Sequence, residues 1–193
     1  MTSAPLHDLN ATDLQRLYRG KELSPVEVTR AVLKRVAACE PQLHATYALD
    51  GDAALTMAEA SQKRWLAGAP LSALDGVPVT IKENIATRGV PMPLGTAATE
   101  LTPAAQDAPP SARLREAGAV ILGKTTMPDY GMLSSGLSSF HALTRNPWDV
   151  TRNPGGSSSG AAAAAAAGYG PLHVGTDIGG SVRLPAGWCG IFT

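Results

Sequence analysis

Apolar positions first recur at helical spacing, then at strand spacing, along this chain. Ser24-Pro25-Val26-Glu27 forms a capping box with proline at the first helical position. Behind it Val28, Ala31, Val32 and Val36 repeat with the period of a helix that lasts until Pro41. A second, alanine-rich helix is expected over about 52–67, closed by Gly68. The period then changes. In "LDGVPVTIKENI" Val77, Val79 and Ile81 alternate with Pro78 and Thr80, which predicts a strand after a turn at Asp75-Gly76.

"APPSARLREAGAVILGKTT" reads as helix, turn and buried strand: Pro110 opens the helix, Gly118 closes it, and Val120-Ile121-Leu122 is the apolar run. The seven alanines Ala161–Ala167 have the highest helix propensity available, and the serines before them suit an N-cap. "PLHVG", after Gly170, is a further strand. Helices alternating with short apolar strands predict an α/β chain with a largely buried sheet.

Composition narrows the class. The 193 residues are 44% apolar and 17% charged, and 16 basic side chains balance 16 acidic ones, so nothing favours nucleic acid or an anionic membrane surface. Cys39 and Cys189 make no disulfide framework or zinc set and read as free thiols. The start, "MTSAPLHDLNATDLQ", has no basic region followed by an apolar one, and no window approaches 18 apolar residues. A cytoplasmic setting is expected.

Three places carry candidate chemistry. "GSSSG", Gly156–Gly160, fits the nucleophile-elbow pattern around Ser158, but "TRNPGG" before it cannot be the strand that an elbow needs. No lysine follows to make a phosphate loop. Taken alone, the segment is a flexible loop. "GTDIGGSVR", Gly175–Arg183, follows a strand, and its glycines allow several N–H groups to converge as an oxyanion requires. The bland alternative is a tight turn with a solvent serine. Lys82 ends the strand "VPVTI"; to act as a base near pH 7 its pKa has to fall from about 10.4 to about 7, roughly 4 kcal/mol of desolvation. Lys124 ends the other strand, and periodicity does not separate the two. The four histidines lack metal-ligand spacing, and His173 is expected to be packed or hydrogen-bonded.

Together "GVPVTIKENI", "NPWDVTRNPGGSSSG" and "GTDIGGSVRLPAGWCGI" resemble, in order and spacing, the amidase signature family. The resemblance runs from about Leu74 to Ile191 and more weakly through the N-terminal helices. It implies a mixed β-sheet flanked by helices, the N-terminal half of that fold. Residues 1–193 would form a single partial domain, helical over 1–70 with the signature core over 71–193. It further implies a Ser–Ser–Lys triad of Ser181 as nucleophile, Ser157 as bridging serine and Lys82 as base, with a cis peptide bond entering Ser157. Ile178, Gly179 and Gly180 would supply oxyanion N–H groups, Asp177 and Arg183 would brace the loop, and Gly131 would line the substrate pocket. No metal or cofactor is implied.

The implied reaction is acyl transfer from a small carboxylic amide, releasing ammonia or an amine. The glutamine-hydrolysing component of a tRNA-dependent amidotransferase is the alternative. Such components typically read "GSDTGGSIRQPA", whereas Thr176, Ile178 and Leu184 stand here, which favours a general amidase. Ser159 replaces the family's usual glycine and is expected to add a hydrogen bond at the helix start. Because related enzymes are several hundred residues long, a non-catalytic fragment is the third reading. A homodimer, or association with a C-terminal half, would then be the partner.

Overall fold

A computed structural model describes residues 4–193, so the first residues of the stretch "MTSAPLHDLNATDLQ" lie outside the described residues. Six α-helices among the described residues pack around a four-stranded mixed sheet. In chain order the elements are α1 (Ala11–Arg19), α2 (Pro25–Leu43), β1 (Thr46–Tyr47), α3 (Gly51–Leu66), β2 (Pro78–Lys82), α4 (Pro109–Glu116), β3 (Val120–Thr125), α5 (Ser159–Ala166), β4 (Leu172–Val174) and α6 (Arg183–Cys189). The strand order is β1-β3-β2-β4. The β3, β2 and β4 strands run parallel, and the two-residue β1 pairs antiparallel with β3.

The capping box forms as expected: Ser24 Oγ accepts from the Glu27 N–H, and the Glu27 carboxylate accepts from the Ser24 N–H. Pro41 does not end α2, which reaches Leu43 before His44 closes it in the left-handed region. A proline this near the end sits in the last turn and interrupts little of the ladder behind it. Val28, Val32 and Val36 are buried, whereas Ala31 is only half-buried.

Both central strands are buried along their whole length, so the alternation in β2 does not separate core from solvent. In β3 the alternation separates two cores. Val120 and Leu122 join the large cluster built with α1, α2, α3 and α5, while Val79, Ile81 and Ile121 pack with Leu114 of α4 in a smaller one. Pro78 stands at the first residue of β2, where a missing N–H costs no ladder bond. A bulge interrupts the β2–β3 register between Val79 and Thr80, which pair with Ile121 and Gly123.

Ser158 holds the N-cap position of α5, but its side chain makes no capping hydrogen bond. The expectation of a serine cap is corrected here. Ser158 Oγ donates instead to the Thr176 carbonyl and accepts from the Thr176 N–H, both at 3.3 Å, tying the helix start to the segment after β4. Helix α6 was not legible in advance, because Pro185 and Gly187 lie inside it. Pro185 occupies the first turn, where no intrahelical N–H bond is lost.

Candidate active site

Lys82 closes β2 with no solvent exposure. Its Nζ donates to Ser157 Oγ at 2.7 Å and to Thr176 Oγ1 at 2.9 Å. Burial pulls its pKa down from the ordinary lysine range to about 8, against the opposing charges of Glu83 and Asp177. Lys124 is equally buried, and burial likewise holds it at about 8. Its ammonium, however, goes to the Ile85 carbonyl and to Thr87 Oγ1, away from any serine of the glycine-rich strip. Geometry separates the two lysines where neither sequence period nor proton affinity does.

Ser157 follows a cis peptide bond from Gly156, as the resemblance implied. The glycine is required by contact: a Cβ there would lie 2.6 Å from the Ser135 carbonyl oxygen and 2.8 Å from that of Leu133. Gly131, in a short turn over Asp129–Gly131, packs on the other side of the same serine. A Cβ on Gly131 would stand 3.2 Å from Ser157 Oγ, and its φ of +70° suits glycine. The predicted pocket residue therefore lies close beside Ser157, with no room for a side chain between them. Ser159 is buried, and its hydroxyl donates to the Ser135 carbonyl at 2.8 Å, so the extra hydroxyl links α5 to the neighbouring loop.

Ser181 comes alongside through its backbone, its carbonyl accepting from the Ser158 N–H at 2.9 Å. Among the described residues its own hydroxyl takes part in no hydrogen bond, so the contact between Ser157 and Ser181 hydroxyls is not made here. Asp177 organises the turn before it. Its carboxylate accepts from the N–H groups of Gly180, Val182 and Arg183 and makes a two-pronged ion pair with the Arg183 guanidinium at 2.8 and 3.0 Å. The Arg183 hydrogen bonds, with those N–H groups, hold the Asp177 carboxyl far below the usual range. Of the three expected oxyanion donors, Ile178 and Gly179 lie on the exposed turn, while the Gly180 N–H is occupied by Asp177 at 2.7 Å.

His173 does what packing predicted. Its Nδ1 is 2.8 Å from Thr80 Oγ1 and its Nε2 is 3.0 Å from the Gly170 carbonyl, and burial lowers its pKa to about 4. The role of Thr176 was missed. Its hydroxyl meets both Lys82 and Asn84 Nδ2, and the only sequence signal was its place in "GTDIGG". No helix among the described residues is long and apolar enough to cross a membrane.

Residues 27–192 match the Amidase family. The chain belongs to the amidase signature family. It is 47% identical, over 94% of its length, to a glutamyl-tRNA(Gln) amidotransferase subunit from Acidothermus cellulolyticus, and covers 36% of that protein. Among solved amidase signature structures it resembles the peptide amidase of Stenotrophomonas maltophilia, with TM-score 0.87 and 34% identity over 94% of this chain and 39% of that one. A bacterial aryl acylamidase of the same family superposes with TM-score 0.83 and 33% identity, over 95% of this chain and 38% of that one. This amidase signature chain thus spans little more than a third of the length of these relatives.

Proposed function

We propose that the chain carries the nucleophile-generating part of an amide hydrolase working through Lys82, Ser157 and Ser181. The observation that carries this reading is the 2.7 Å contact from Lys82 Nζ to Ser157 Oγ, made by a fully buried lysine whose pKa lies near 8. At pH 7 about one lysine in ten is then neutral, against fewer than about one in a thousand for an ordinary lysine. Neutral Lys82 takes the proton of Ser157, Ser157 takes that of Ser181, and the Ser181 oxygen attacks the amide carbonyl carbon. The N–H groups of Ile178 and Gly179 face the developing oxyanion, joined by that of Gly180 once it leaves Asp177. Collapse breaks the carbon–nitrogen bond, the relayed proton goes to the leaving amine, and water then cleaves the acyl-serine. The substrate is a small-molecule amide, and the setting is cytoplasmic.

Intact-mass spectrometry after treatment with a fluorophosphonate tests this. One adduct on the parent chain, absent from Ser181→Ala, is the expected result. A folded chain that takes no adduct would end the proposal.

A second reading has its own support in the 47% identity to a component of an amidotransferase. In that reading the amide is the side chain of glutamine and the product is ammonia for a partner protein. Hydrolysis of glutamine beside a panel of simple amides separates the two: strong preference for glutamine selects the second.

A further inference from the structure

Two oxygens meet the Lys82 ammonium, and only one of them belongs to the serine relay. Nζ lies 2.7 Å from Ser157 Oγ and 2.9 Å from Thr176 Oγ1. Thr176 stands just past β4, on the turn that leads to Ser181. A second donor reaches the same oxygen: Asn84 Nδ2, at 3.2 Å. Strand alternation puts Asn84 on the side of Lys82, because the Glu83 N–H between them still pairs with the Thr125 carbonyl. Asn84 Oδ1 is buried without a hydrogen-bond partner among the described residues, so the amide bonds to Thr176 with its other end unsatisfied. Two donors occupy both lone pairs of the Thr176 hydroxyl. Toward Lys82 that oxygen is therefore an acceptor, and it does not compete with Ser157 for the lone pair of the amine.

Thr176 is also fixed from behind. Its N–H and carbonyl both bond to Ser158 Oγ at 3.3 Å, and Ser158 directly follows Ser157. A closed ring results, from Lys82 Nζ through Ser157, Ser158 and Thr176 back to Nζ. The spacing of the two oxygens is thus set by the Ser158 hydroxyl and not by the lysine stem, whose four carbons are flexible.

We propose that Thr176 is a positioning residue for Lys82: held by Asn84 and Ser158, it takes one N–H of the amine and so leaves the lone pair of the neutral form aimed at the Ser157 proton. The inference rests on the reading of Lys82 as the base. Thr176 acts through Lys82 and carries no proton of the relay itself. Thr176→Val keeps the shape of the side chain and removes the hydroxyl, whereas Thr176→Ser keeps the hydroxyl and removes the methyl. Valine better preserves packing and serine better preserves positioning, so the two roles predict opposite orders. Fluorophosphonate labelling of Ser181 is expected to slow about tenfold in Thr176→Val and to stay within about threefold of the parent in Thr176→Ser. Loss of an acceptor does not stabilise the ammonium, so a role in proton affinity alone predicts that Thr176→Val labels at least as fast as the parent. Asn84→Ala is expected to slow labelling and to add nothing to Thr176→Val; additive losses overturn the part given to Asn84.

Lysine side-chain NMR on ¹³C,¹⁵N-labelled chain reads the same hold without turnover, with the Lys82→Met and Lys124→Met spectra assigning the two buried lysines. A pinned Lys82 shows two distinct Hε shifts. These are expected to merge in Thr176→Val, or in Thr176→Ala should the valine variant fail to fold, and to stay apart in Thr176→Ser. Merged shifts in the parent, or shifts that stay apart in Thr176→Val, overturn the inference. So does a Thr176→Val chain that labels at the parent's rate, or a serine variant slower than the valine one. If the shifts behave as expected but the parent's Ser181 takes no fluorophosphonate, the proposed function fails alone; normal labelling with unmoved shifts sinks only the positioning role.

Discussion

Lys82 and Lys124 lie on neighbouring parallel strands, one position out of register, and send their ammonium groups to opposite faces of one sheet. Lys82 pairs with Thr125 and Lys124 with Ile81. Partners across a ladder share a face and successive residues alternate, so the offset by itself separates the two lysines. The bulge in β3 creates that offset: with unbroken pairing after Val79–Ile121, Lys124 would stand opposite Lys82 and share its face.

This arrangement makes the two lysines unequal in chemistry. Replacing Lys82 by methionine is expected to slow fluorophosphonate labelling of Ser181 by about 10²–10⁴-fold, the usual contribution of a positioned base. Lys124→Met is expected to leave the labelling rate within about threefold, because the Lys124 ammonium bonds to Ile85 and Thr87 and not to a serine. Labelling followed against time for both variants checks it, and equal losses would remove the distinction.

They are equal, by contrast, in their effect on stability. Each has a pKa of about 8 in the fold against 10.5 for the free side chain. Between those values the unfolded chain binds more protons, so stability rises with pH; below pH 8 each burial penalty, about 3 kcal/mol, is fully present. The opposite sign applies to Cys189, raised by burial to about 11, and to Tyr18 and Tyr169, which burial pushes far above 10. Those groups bind more protons in the fold and lose stability as pH climbs past their ordinary values. The urea midpoint is therefore expected to rise from pH 8 and turn over near pH 10, with a smaller rise in Lys124→Met. A flat profile would show that the lysines are not desolvated.

Gly160 sets helix propensity against contact. Alanine in place of glycine inside a helix gains about 1 kcal/mol. Here the added Cβ would lie 2.1 Å from the Ala45 carbonyl oxygen and 2.5 Å from the Thr126 nitrogen, both backbone atoms. Contact wins, since overpacking against backbone costs about 1–3 kcal/mol or more beyond that gain. Gly160→Ala is expected to lower stability in urea unfolding, and a stabilised variant would refute the close approach of α5 to the backbone at Ala45 and Thr126.

Asp177 and Arg183 act as one unit through their paired hydrogen bonds. Asp177→Asn and Arg183→Gln are each expected to leave circular dichroism unchanged while lowering Ser181 labelling, and the double variant is expected to lose no more than the worse single one. Additive losses would mean that the pair does not brace the turn.

The legibility of the chain follows the reach of its interactions. The Ser24–Glu27 box, the strand at Val79–Ile81 and the alanine helix are local patterns, and the structure keeps them. The missed features are α6, the brief β1 and the non-capping role of Ser158. Each depends on a partner distant in sequence: Ser158 gives its hydroxyl to Thr176, and Tyr47 meets β3 at Lys124. Thr176 gave no sign of meeting a lysine 94 positions away.

By itself the sequence determined the order of helices and strands, the glycines at the turns, and the family to which the spacing of Lys82, Ser157 and Ser181 points. Tertiary structure alone decided which buried lysine meets a serine, that Gly131 stands beside Ser157, and that Glu83 pairs with His141 in the interior. The physical reason is that local backbone preferences are written within a few residues. The face of a side chain at a sheet's end, by contrast, depends on register and bulge, and on which distant loop closes over it.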